Sequence, residues 1–125
     1  VLMIEGFARE FPEDLMADKI LTTSVIGTFG RERYKDVYDL YQLHRIVNDA
    51  AKVLKKLDMV SRRAGLTTQA ILDASIETVS RFSTHSLEAR GFLSMVCRGG
   101  RKDMEDWEGT CRTVGETLEG LRAVE

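Results

Sequence analysis

Apolar residues recur three and four positions apart along most of the chain, the spacing that lines one face of an α-helix. Pro12 followed by Glu13 and Asp14 marks a helix start, because proline suits a first turn and acids favour the positive helix end. That helix is expected to reach about Ile26, before Gly27 and Gly30 break it. A second helix carries Val37, Leu40, Tyr41, Leu43, Ile46 and Val47 on its stripe, and Asn48-Asp49 marks a turn or a new cap. Ala50 to Arg63 reads as a third helix stopped by Gly65, and Thr67 or Thr68 caps a fourth that extends to about Phe82. A fifth is expected from Ser86 to Cys97, closed by Gly99-Gly100. The last runs from about Asp103 to Ala123, with Met104, Trp107, Cys111, Val114, Leu118 and Leu121 along one side. A single proline, Pro12, agrees with a mainly helical chain, since proline is the residue that most often interrupts helices.

The opening differs. Val1 to Arg9 is an apolar run of strand length without an initiator Met. A lone strand cannot satisfy its own backbone hydrogen bonds, so residues 1–10 predict the end of a sheet whose other strands lie upstream or come from a partner. The chain is thus expected to be the C-terminal part of a longer protein. No repeat of fixed period and no low-complexity tract interrupts the pattern. The expected fold is mainly α, a helical bundle with a short N-terminal strand: a strand stub at 1–10, two motif-bearing helices at 11–47 and further bundle helices at 48–125. At 125 residues these form one domain.

Composition narrows the class. With 43% hydrophobic and 30% charged residues the chain can bury a core, which excludes disorder as its main state. Eighteen Lys+Arg against twenty Asp+Glu leave a net charge of −2, so any basic site must be local. The longest apolar runs, such as Ser24 to Phe29, fall far short of the ~20 residues of a membrane helix, and no signal peptide opens the chain. The expectation is a soluble, cytoplasmic protein without a membrane partner. Cys97 and Cys111 form no Cys-x-x-Cys pair and have no His at zinc spacing, so they read as reduced, ordinary cysteines. Trp107 and the methionines read as core, and His44 and His85 as structural.

Chemistry concentrates on the first two helices. A helical wheel places Lys19 among Leu15, Met16, Ile20, Thr23 and Ile26. An ammonium there needs an acid, a ligand anion, or an escape to solvent along its own stem. On the second helix Asp36 falls in line with Leu40, Leu43 and Val47, while Asp39 borders Leu43 and Ile46. Acids in a first turn also complement the helix dipole. Arg33 and Lys35 beside them supply donors for phosphates or for the acids themselves. Both stripes must face a common core, so Lys19 is expected within ion-pair range of Asp36 or Asp39.

Arg33-Tyr34-Lys35-Asp36-Val37-Tyr38-Asp39-Leu40 resembles the Arg-x-Lys-Asp-x-x-Asp motif of the AbiEii/AbiGii family of nucleotidyltransferase toxins, and Leu15-Met16-Ala17-Asp18-Lys19-Ile20 resembles that family's preceding lysine motif. The likeness covers about residues 11 to 47. It implies a polymerase-β-like nucleotidyltransferase, in which a small mixed sheet carries a Gly-Ser turn and an Asp-x-Asp pair for magnesium and a helical region follows. Neither Gly-Ser nor Asp-x-Asp occurs in these 125 residues. By resemblance, Lys19 contacts the triphosphate of the nucleotide, and Asp36 is the C-terminal active-site acid that orients Lys19 or an attacking hydroxyl. Asp39, Arg33 and Lys35 shape or support the pocket. The implied cofactors of the intact protein are NTP and Mg2+, with RNA, tRNA foremost, as acceptor and a cognate antitoxin of a type IV toxin-antitoxin system as partner. This chain alone is expected to be inactive.

Two features point elsewhere. Val60 to Ile71 has the helix, glycine turn and helix spacing of a helix-turn-helix DNA reader, but Thr68 to Val79 contains Asp73 and Glu77 and no Lys or Arg, which favours plain packing. Lys52, Lys55, Lys56, Arg62 and Arg63 put five cations on or near one helix, able to touch an RNA backbone if the full protein modifies tRNA, although such a run is more often a solvated face. The competing function is therefore a helical binding module for DNA or a partner protein, without catalysis.

Overall fold

The computed structural model describes residues 11–24, 32–96 and 106–124, which form α1 (Pro12–Ser24), α2 (Glu32–His44), α3 (Ala50–Arg63), α4 (Thr68–Phe82), α5 (Ser86–Val96) and α6 (Trp107–Val124). These residues are a helical bundle. The expected strand at 1–10, the Gly27 and Gly30 break, Cys97 and the Gly99-Gly100 stop lie outside the described residues.

Local side-chain chemistry sets several boundaries. Asp49 accepts from the backbone N–H of Lys52 at 3.1 Å and so starts α3. At the other end Leu66 N–H donates to the Ser61 carbonyl at 2.8 Å and Gly65 N–H to that of Arg62 at 3.1 Å, with Gly65 at φ +72°. This pair of bonds is the Schellman stop, whose left-handed residue is cheapest as glycine. Thr67, not Thr68, caps α4 through its hydroxyl on Ala70 N–H at 3.1 Å. The last helix begins at Trp107, and the expected start near Asp103 lies outside the described residues. Asp106 is its cap, with Oδ1 accepting from Gly109 N–H at 3.0 Å, so the helix cannot extend back through it.

Packing places α1 at the centre, against α2, α3 and α4, while α4 also lies along α6. Burial on three sides explains why Ala17 and Ser24, outside the predicted stripe of α1, are buried beside Leu15, Met16, Ile20 and Thr23. A polar seam fixes the α1–α4 register. Ser75 Oγ donates to the Ile20 carbonyl at 2.6 Å, and Thr23 Oγ1 lies 3.1 Å from Ser75 Oγ in a fully dry contact. Inside the core, Trp107, Leu43, Leu57, Ile71, Leu72 and Leu118 are fully buried.

Two expectations about burial need correction. Met59 and Met95 are 46% and 76% exposed, so only Met16 of the described methionines belongs to the core. Ile46 is 39% exposed because α2 ends at His44 and the following turn carries it outward. The fourth helix is a core element, with Ile71, Leu72, Ser75, Val79 and Phe82 buried. Its outer face holds Asp73, paired with Arg122 at 2.8 Å, and Glu77, paired with Arg81 at 2.8 Å. No helix among the described residues is long and apolar enough to cross a membrane.

Candidate functional site

The stripes of α1 and α2 bring five charged side chains together. Lys19 Nζ lies 3.0 Å from Asp36 Oδ1 and 3.0 Å from Asp39 Oδ2, as the facing stripes predict. One turn of helix separates the two acids, so both project toward α1 from the same side of α2. Each acid also holds a cation from its own helix. Arg33 Nη1 reaches Asp36 Oδ2 at 2.8 Å, and Lys35 Nζ reaches Asp39 Oδ2 at 3.2 Å and Oδ1 at 3.3 Å. Arg33 Nη1 further donates to the Thr22 carbonyl at 3.1 Å, a second bond between the helices.

The cluster is largely withdrawn from solvent, with side chains of Lys19, Asp36 and Asp39 only 14%, 10% and 8% exposed. Burial by itself pulls the Lys19 pKa down, but the nearby charge and hydrogen bonds of Asp39 and Asp36 outweigh it, so the pKa ends above its ordinary value. Lys19 is therefore a firmly charged ammonium at neutral pH, suited to electrostatic work and not to proton transfer. Three cations face two carboxylates here. The buried Arg33 Nε–H has no acceptor. A buried unpaired donor is costly, about 1–3 kcal/mol.

The aromatic neighbourhood steadies the start of α2. Tyr34 packs on Phe82 with centroids 5.1 Å apart and edge-on to Trp107 at 5.9 Å, and its hydroxyl is hydrogen-bonded to His85 Nδ1 at 3.0 Å. Trp107 Nε1 donates to the Phe82 carbonyl at 2.7 Å, tying this group to α4 and α6. Anchoring Tyr34 holds Arg33 and Lys35 on either side of it. Sequence reasoning passed over Tyr34, His85 and the Thr22 carbonyl as supports of the site. A tyrosine inside a charged motif was the one available signal, because a backbone carbonyl partner leaves no trace in sequence. His44 Nδ1 is bonded to the Tyr41 carbonyl and stands apart from the cluster.

Magnesium does not fit these residues as they stand. Asp36 and Asp39 are already neutralised by three cations, and no group of three or more His, Cys, Asp or Glu able to hold a metal occurs among the described residues.

No protein-family model, curated protein or solved structure matches this chain.

Proposed function

We propose that this chain contributes the lysine-and-acid part of a nucleotidyltransferase site, with Lys19 directed at the triphosphate of an NTP. The observation that carries the reading is the cluster's geometry: a largely buried lysine held at 3.0 Å by each of two acids. Transfer of a nucleotidyl group depends mostly on positioning and charge stabilisation, so a rigid ammonium suits it. Asp36 orients Lys19 and fixes Arg33, Asp39 holds Lys19 from the other side, and Lys35 buttresses Asp39. Magnesium, when bound, would neutralise the phosphates, and its ligands must come from a Gly-Ser and Asp-x-Asp segment that this sequence lacks. The acceptor in this reading is RNA, tRNA foremost, and a cognate antitoxin is the expected partner.

Transfer of label from an NTP to tRNA by the complete gene product tests the proposal. Lys19→Ala and Asp36→Ala are each expected to lower the rate roughly 10²-fold or more, with the fold retained. Full activity in Lys19→Ala would sink the reading. So would a reading frame that encodes no Gly-Ser and Asp-x-Asp segment. A second reading, a helical binding module without catalysis, is favoured by one fact: every cation of the cluster already has an acid partner, as in a purely structural staple. It predicts no transfer by the wild-type protein, and lost stability as the sole effect of the same variants.

A further inference from the structure

The outer face of α3 carries a cationic track separate from the Lys19 cluster. At 3.6 residues per turn, Lys52, Lys55, Lys56, Met59, Arg62 and Arg63 fall within an arc of about 120°. Val53, Leu57 and Ser61 are buried on the other side of the helix. The one acid on α3, Asp58, is taken by Arg62 at 3.1 Å. Lys52 makes only a loose 3.9 Å approach to Glu13. Lys55, Lys56 and Arg63 have no acid partner among the described residues. In a chain of net charge −2, this unneutralised charge is local and uniform in sign.

An aromatic ring stands at the start of the track. Phe11 is 54% exposed, and Lys52 Nζ lies 4.2 Å from its ring centroid. From Lys52 to Arg63 the helix rises about 16 Å, long enough to face several consecutive phosphates of one strand. A cationic track with an exposed aromatic face is the pairing that holds single-stranded nucleic acid, phosphates on the cations and a base stacked on the ring. An anionic membrane fits less well, because the apolar face of α3 is spent in the core and Met59 alone stands among the cations.

We infer that α3 and Phe11 form a binding surface for single-stranded nucleic acid, with Lys55, Lys56 and Arg63 on the phosphates and Phe11 on a base. The surface is read from α3 and Phe11, apart from the Lys19 cluster, and holds whether or not that cluster transfers nucleotides. It is tested by fluorescence anisotropy of the 125-residue chain with a labelled oligouridylate of about twelve nucleotides, titrated across salt concentrations. Three phosphate contacts predict that log affinity falls against log salt with a slope near about −2. The Lys55→Glu, Lys56→Glu, Arg63→Glu triple variant should bind at least about tenfold more weakly, with a flatter slope. The corresponding triple alanine variant should fall in between. Phe11→Ala should weaken binding roughly tenfold and leave the slope unchanged, as expected for lost stacking. Arg90→Glu with Arg112→Glu, the same kind of charge reversal on α5 and α6, should leave binding close to wild type. The inference is overturned if the α3 triple variant binds like wild type, if the control reversal weakens binding as much, or if the chain binds phosphatidylserine vesicles and not the oligonucleotide. Because binding is the readout, the outcome is independent of any result on nucleotide transfer.

Discussion

Four ion pairs hold the α1–α2 cluster, but the two acids do not depend on Lys19 equally with their other partners. Deleting Lys19 leaves Asp36 with Arg33 and Asp39 with Lys35. Deleting Asp36 leaves Arg33, a largely buried guanidinium, with only the Thr22 carbonyl. Asp36→Ala should therefore cost about 2–3 kcal/mol and Lys19→Ala about 1–2 kcal/mol, measured as urea unfolding free energies. The reverse order would show that Asp39, and not Asp36, organises the cluster. A pH series adds a second check. A lysine whose pKa is raised on folding contributes its stability in full below its unfolded value of 10.5, and loses it as pH rises through the higher folded value. The stability gap between wild type and Lys19→Met should stay level from neutrality to about pH 10 and narrow beyond that. A gap that closes already near pH 8 would contradict the raised pKa.

At the scale of elements, the helix ends show how local chemistry and backbone conformation divide the work. Gly65 sits at φ +72° with open space where a Cβ would go, so the effect of a side chain there is purely conformational. Gly65→Ala should destabilise by about 1–2 kcal/mol, the left-handed penalty for an L-residue. The same substitution at Gly120, in the interior of α6 and also facing open space, should stabilise by about 0.5–1 kcal/mol. Denaturant midpoints with an unchanged m-value measure both, and equal signs would contradict this account. The bounds of α3 and α4 were legible for the same reason: Asp49, Gly65 and Thr67 act on residues within a turn of themselves. At α6, Asp103 and Asp106 read alike in sequence as acids near a helix start, and the bond from Gly109 N–H to Asp106 marks Asp106 as the cap.

Across the whole molecule, α4 and α6 close over the aromatic group around Trp107 and bury Cys111 on the same seam. Burial, with Glu108 adding a smaller push, raises the Cys111 thiol to about 12. A thiol so protonated and covered is inert. In a Cys97→Ser background, Cys111 should react with a thiol reagent at pH ~8 only as fast as the chain opens, and much faster in urea. Rapid labelling of the folded chain would mean that the α4–α6 seam is loose.

What the sequence by itself determined is whatever acts within a few residues or follows from helical period. It settled the helical class, the caps at Asp49 and the glycine stop at Gly65, the buried stripe of Trp107, Cys111, Val114, Leu118 and Leu121, and the presence of Lys19, Asp36 and Asp39 on apolar faces. Period alone also limited Lys19 to an acid, a ligand anion or an escape to solvent, because a charge on a buried stripe is costly without one of these. Tertiary structure decided which partners. The central position of α1, and with it the burial of Ala17 and Ser24, depends on α2, α3 and α4 enclosing it, which no single helix encodes. Arg33 crosses to the Thr22 carbonyl, and Tyr34 meets His85 across 51 positions, only because the packed helices bring those atoms within hydrogen-bond reach. Exposure of Met59 and Met95 was decided in the same way: hydrophobicity states a preference, and the geometry of the bundle determines which apolar side chains find a covering neighbour.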